Sequence, residues 1–190
     1  MNNNYKNIGE NQVNNPGTKS SNFIYEWLDA ISQPLIVVVV LLTFIFMIVG
    51  VDGESMTNTL GDGDKVIITK WNYVPQNGDI VVISRGQHLN IPIIKRVIAT
   101  QGQTLKIDFE TGKVMVNGKV IDEPYIKERM TETGDNEIPE VIPEGYTFVM
   151  GDNRNDSSDS RFKNVGLIDN NNIVGKAIFR IYPFDHFGAL

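Results

Sequence analysis

The sequence predicts a mainly β fold, a barrel or packed-sheet domain preceded by one N-terminal transmembrane α-helix. Three observations carry this. An uncharged apolar run of 17 residues, Leu35 to Val51, stands near the start of the chain. After it the apolar clusters are short, β-branched and separated by turn residues. No long stretch of helical periodicity follows.

Residues 1–22 hold eight asparagines and almost no apolar side chains. They bury too little to offset the cost of ordering, so a disordered Asn-rich tail is expected. Residues 23–51 are expected to form an interfacial segment and a membrane helix. The run from Leu35 spans roughly 26 Å at 1.5 Å per residue. Adding the turn from Ile31 brings it near the ~30 Å hydrocarbon core. Tyr25 and Trp27 then fall where interfacial aromatics collect. A buried core helix would carry a polar stripe, and a cleaved leader would carry a basic start and a small-residue cut site. The run has neither feature, which favours a retained single-pass anchor. Lysines flank it on both sides, so charge does not set its orientation.

Residues 52–190 are expected to form the β domain. Strands are predicted at Lys65–Thr69, Asp79–Ile83, Ile93–Ile98, Tyr146–Met150 and Ile173–Ile181, and Asp108 to Val120 reads as two tight turns with a strand between. Asn117-Gly118 is the strongest hairpin signal in the chain.

Composition removes several chemistries. There is no cysteine, which excludes disulfides, thiolate catalysis and Cys-ligated metal. His88 and His186 are the only histidines, so a multi-histidine metal site is nearly ruled out and no metal is expected. With 17 Lys+Arg against 23 Asp+Glu, net charge −6, and no basic run, no nucleic-acid partner is expected.

Three polar clusters remain. The first is Gly53-Glu54-Ser55-Met56-Thr57-Asn58-Thr59-Leu60, the second Lys95-Arg96 within an apolar strand, and the third the run from Gly151 to Arg161. Lys95 either lies on a solvated face or is buried, and burial lowers its pKa toward a neutral, basic amine. Ser55 is either a turn residue or a nucleophile, which needs a base beside it. With no cysteine and no histidine motif, a Ser–Lys pair is one of the few nucleophilic devices left. The run 151–161 is either a surface loop or a satisfied polar network.

Taken together, these clusters resemble the boxes of type I signal peptidases, in their small Gram-positive form. Ser55-Met56-Thr57-Asn58-Thr59-Leu60 matches Ser-Met-x-Pro-Thr-Leu, and Asn77-Gly78-Asp79-Ile80-Val81 matches Arg-Gly-Asp-Ile-Val in part. Lys95-Arg96-Val97 opens the lysine box, and Gly151 to Arg161 fits Gly-Asp-Asn-Arg-x-x-Ser-x-Asp-Ser-Arg at every fixed position. The closing Val174-Gly175-Lys176-Ala177 also fits, so the likeness runs from about residue 27 to the C-terminus.

The resemblance implies a serine endopeptidase that cleaves signal peptides from secreted preproteins. Its catalytic domain would stand outside the cell membrane, anchored in the bilayer, and no cofactor is implied. It implies Ser55 as nucleophile, Lys95 as general base, Ser157 as the hydroxyl orienting the lysine, and Asp159 with Arg161 as a structural ion pair. The Ser55 N–H would help to hold the oxyanion. Some relatives carry a serine donor where this chain has Gly53. The substrate is expected to add a strand between Gly50–Ser55, a segment that includes Gly53, and Ile91–Lys95. Met56 and Ile94 would line shallow pockets that admit small side chains. Ser55 is four residues past Val51, which keeps it within roughly 14 Å of the bilayer edge.

Departures from the pattern are Asn58 for proline, and Ala99, Gln101 and Gln103 for glycine, proline and aspartate. They point to altered loop geometry. The rival reading is a non-catalytic or specialised assembly factor for surface proteins on the same fold. A self-cleaving regulator would need a DNA-binding module where this chain has its apolar helix.

Overall fold

The computed structural model describes residues 17–86, 88 and 91–190, with side chains from Phe23 onward. Helix α1 runs Gly17–Ile45. Its stretch Phe23–Ile45 is 23 residues long, with mean hydropathy 2.2 and no buried side chains. At 1.5 Å per residue this is roughly 35 Å, enough to cross a membrane. The expected tail falls mostly on residues 1–16, outside the described residues, while Gly17 to Asn22 already belong to α1. Adding turns to an existing helix is far easier than starting one.

The apolar run does not stay helical to Val51. Phe46–Gly50 is strand β1, antiparallel to β2, Lys65–Thr69, in register from Phe46 opposite Thr69 to Gly50 opposite Lys65. The Lys70 N–H donates to the Ile45 carbonyl at 2.9 Å and closes the ladder where the helix stops. A continuous apolar run has no periodicity to separate helix from strand, and here a waiting backbone partner decides. The β domain therefore begins at Phe46, and Ser55 follows the helix only after β1 and a turn.

The remaining strands are β3 Ile80–Ile83, β4 Ile93–Thr100, β5 Leu105–Asp108, β6 Lys113–Val116 and β7 Lys119–Val120. They continue as β8 Tyr146–Met150, β9 Ile168–Asp169, β10 Ile173–Tyr182 and β11 Gly188–Ala189. Among the described residues they form two sheets. One has eight strands in the order β1-β2-β10-β3-β4-β8-β9, with β11 also on β10. The other is the antiparallel β5-β6-β7. Asn117 and Gly118 both take positive φ, 50° and 74°, and join β6 to β7 in the two-residue turn their pairing signals.

Strand β4 lies inside the large sheet between β3 and β8, and Lys95 to Ala99 are all buried. Above and below it lie separate apolar clusters. Ile98 and Ala99 pack with Phe148 and Val114, while Val97 packs with Val81 and Val149. Ile94 leans on a third cluster containing Met56, Leu60 and Ile68. A charged side chain on such a strand has no solvated face to turn to.

Candidate active site

The segment after β1 is fixed to β2's approach by Val51, which donates to the Asp64 carbonyl at 2.8 Å and accepts from Gly63 at 3.0 Å. Gly53 follows at φ +86°, donating to Asp62 Oδ1 at 2.9 Å. An L side chain is strained at that φ, which gives a physical reason for glycine at position 53. Met56 to Leu60 then form a tight turn closed by Thr59 and Leu60 N–H groups on the Met56 carbonyl. Met56 and Leu60, each 1% exposed, sink into the core and leave Ser55 half-exposed above them. Residues 51–55 thus form a turn, so of the segment expected to flank an added substrate strand only Gly50 is itself in a strand.

Ser55 meets Lys95, and Oγ and Nζ lie 2.5 Å apart in a hydrogen bond. Lys95 is 3% exposed. Burial drives its pKa down to about 8, and the Arg161 charge pushes the same way, against the pull of Asp159 and Asp152. An appreciable neutral fraction therefore exists near neutral pH, which a base for a serine hydroxyl requires.

The run 151–161 is a buried network. Asn153 donates its N–H to the Ser55 carbonyl at 3.0 Å and its side-chain amide to the Glu54 carbonyl at 3.1 Å. It thereby clamps the turn that carries Ser55. Asp159 and Arg161 are both fully buried and pair through Nε to Oδ1 and Nη2 to Oδ2, each 2.8 Å. Asp159 also accepts the Gly151 N–H at 3.0 Å, and Arg161 reaches the carbonyls of Glu132 and Arg154. Removing one partner from such a pair typically costs about 3–5 kcal/mol, because the other charge is left buried.

Ser157 lies beside the pair. A Cβ built on Gly151 would sit 2.2 Å from Ser157 Oγ and 2.4 Å from the Ser55 carbonyl oxygen, so both flank that glycine. The Ser157 hydroxyl is buried and unpartnered. The expected bond to Lys95 is not formed here, the amine being engaged with Ser55 instead. Of the two pocket residues, Ile94 is half-buried, whereas Met56 is sealed beneath the surface.

Sequence reasoning gave no role to Arg96 and Asp152. Arg96 donates Nε to Asp152 Oδ1 at 2.8 Å, Nη2 to Oδ2 at 2.6 Å and Nη1 to the Gly78 carbonyl at 2.7 Å. Thr59 Oγ1 donates to Asp152 Oδ2 at 2.5 Å. The available signal was a second cation directly after Lys95 in an apolar strand, since alternation leaves one of the pair facing each buried side. Among the described residues no three His, Cys, Asp or Glu side chains converge as a metal site would. Two large clefts of the domain, about 540 and 660 Å³, are lined by neither Ser55 nor Lys95. Ser55 is half-exposed, whereas Lys95 beneath it is buried.

A family model described as signal peptidase, peptidase S26, matches residues 24–182. The chain belongs to this family. Signal peptidase I of Bacillus licheniformis is 37% identical over 179 residues, 88% of this chain and 94% of the relative. Signal peptidase I T of Bacillus subtilis is 36% identical, covering 88% and 90%. Signal peptidase IB of Staphylococcus aureus is 34% identical, covering 86% and 92%. A crystal structure of a signal peptidase I from Enterococcus faecalis aligns with a TM-score of 0.47 at 27% identity, over 55% of this chain and 97% of that one.

Within the signal peptidase family this chain's departures now have local explanations. Asn58 has φ +155°, which a proline ring, held near −65°, cannot adopt. Ala99 is wholly buried in the core. Gln103 accepts the Thr100 N–H and Gln101 accepts the Gly145 N–H, both at 2.8 Å, so the two glutamines fasten the loop after β4.

Proposed function

We infer that this member of the signal peptidase family is a membrane-anchored serine endopeptidase that removes N-terminal signal peptides from preproteins with a Ser55–Lys95 dyad. The observation that carries this is the Lys95 amine, shut away from water and 2.5 Å from the Ser55 hydroxyl. Neutral Lys95 takes the Ser55 proton as Oγ attacks the scissile carbonyl, and returns it to the leaving amine. Among the described residues the Ser55 N–H has no acceptor, which leaves it free to hold the oxyanion. Water then attacks the acyl-enzyme with Lys95 again as base. After its first proton transfer the lysine needs a new acceptor, and the reading that Ser157 supplies it is supported by its hydroxyl being buried without a partner.

The substrate lies extended. Strand β1 pairs with β2 alone, and β8 pairs with β4 only from Arg96 onward, so Ile93 to Lys95 keep a free edge. Val49 and Ile94 pack on one apolar cluster, with Met56 as its floor. A peptide adding a strand there would present its residues to the shallow apolar surface beside the dyad. The catalytic domain stands on the outer face, where a signal peptide emerges after translocation. The assembly-factor alternative is not favoured, because such a scaffold has no use for a dry lysine on a serine.

The test is cleavage of a preprotein by the full-length chain in detergent or nanodiscs. Wild type should release the mature protein, and Ser55→Ala and Lys95→Ala should not. Processing by either variant at the wild-type rate overturns the dyad.

A further inference from the structure

After β7 the chain runs as a strap, residues 121–130, across the buried network. Glu123 pairs with Arg154, which in turn donates Nε to the Gly151 carbonyl at 3.1 Å. Tyr125 lays its ring over Arg96, with the guanidinium carbon 3.9 Å from the ring centroid, and donates its hydroxyl to Glu123 Oε1 at 3.2 Å. Lys127 donates its N–H to the Asp152 carbonyl at 3.1 Å. At the far end Asn155 donates to Glu128 Oε1 and to the Arg129 carbonyl.

The edge of the Arg96 guanidinium is occupied by Asp152, Gly78 and Thr59. One flat face of the guanidinium is covered by the Tyr125 ring, and Arg96 is left only 8% exposed. An ion pair kept dry is stiffer and stronger than a hydrated one, and a ring stacked on the cation adds attraction of its own. The Arg96–Asp152 pair reaches both halves of the dyad. Arg96 is the neighbour of Lys95 on β4. Asp152 holds Thr59 of the Ser55 turn, and the next residue, Asn153, clamps the carbonyls of Glu54 and Ser55.

We propose that Tyr125 is a positioning residue for the dyad: its ring seals the Arg96–Asp152 pair, which fixes the Ser55 turn against strand β4 at the register the proton transfer needs. The proposal rests on the peptidase reading above. Tyr125 engages Arg96 and Glu123, and it does not lie on the free strand edges, so it acts on the chemical step and not on substrate affinity. Burial and the Glu123 carboxylate hold its phenol protonated, consistent with a fixed donor to Glu123.

The experiment measures kcat and KM for preprotein cleavage by full-length wild type, Tyr125→Phe, Tyr125→Trp and Tyr125→Leu, with thermal unfolding of each in parallel. Tyr125→Leu should lose roughly 10- to 100-fold in kcat, with KM within about twofold, as expected when reacting groups shift by a fraction of an ångström to an ångström. Phe and Trp keep the aromatic face and should retain at least half the wild-type kcat. If the leucine variant does not fold, Tyr125→Met, which keeps bulk without a π-face, carries the same test. Wild-type kcat in the leucine or methionine variant overturns the proposal, as does a loss confined to KM or an equal loss in Tyr125→Phe. A wild-type chain that leaves the preprotein uncut overturns the peptidase reading itself, before any variant is compared.

Discussion

Lys95→Met should destroy activity and yet stabilise the fold at neutral pH. The amine's pKa is about 8 in the folded chain against an ordinary 10.5. Below pH 8 both folded and unfolded chains hold the proton, and burying the charge costs a constant amount. Between pH 8 and 10.5 the unfolded chain binds more protons than the folded one, so the cost fades as pH rises. Above 10.5 it is gone. At 1.36 kcal/mol per pH decade the full cost is about 3 kcal/mol. Methionine keeps most of the volume, and the lost hydrogen bond to Ser55 gives back about 1 kcal/mol, since half-exposed Ser55 can turn to water. The net gain is about 2 kcal/mol, or about 4–8 °C in Tm for a domain of this size. Thermal unfolding of wild type and variant at pH 7, 9 and 10.5 reads this directly. The reasoning fails if the variant melts at or below wild type at pH 7, or if the gap stays constant across the series, because either result means a hydrated amine.

The same amine sets the pH dependence of cleavage. Below about pH 8 kcat/KM should fall tenfold per pH decade, as protonated Lys95 cannot accept the Ser55 proton, and a half-maximum near 10 would contradict a buried base. Gly151→Ala should cost at least about 100-fold in kcat, because its Cβ would lie 2.4 Å from the Ser55 carbonyl oxygen and must push the nucleophile's turn aside. Single-turnover cleavage measures that loss. Asp159→Asn should lower stability by about 3–5 kcal/mol by leaving the buried Arg161 charge unpaired, and a denaturant midpoint unchanged from wild type would refute it.

Where side-chain alternation and turn residues speak clearly, the sequence was legible. The central strands fall on Lys65–Thr69, Ile80–Ile83, Tyr146–Met150 and the start of β10, and Asn117-Gly118 turns the hairpin. Phe46–Gly50 was not legible, because a uniformly apolar stretch suits a helix or a strand and its partner lies beyond the intervening turn. Leu105–Asp108 is short and polar at alternate positions, so it carried too little pattern. At the site, the residue types of Ser55 and Lys95 suggested their chemistry, but whether the lysine was dry depended on cover over both faces of β4. That cover comes from segments distant in sequence. Tyr125 was invisible for the same reason, since nothing near it in the chain announces the guanidinium it stacks upon.

The clamp on the nucleophile's turn has a consequence for biogenesis. The side chain of Asn153 reaches Glu54 across 99 positions, and Arg180 reaches the Thr59 carbonyl across 121. Contacts so remote in sequence form late, after the intervening chain has been synthesised and has closed on itself. A nascent chain that still lacks those later segments therefore carries Ser55 as an inert hydroxyl. Latency during synthesis is written into the topology, and no removable propeptide is required to restrain the protease until its last strands arrive.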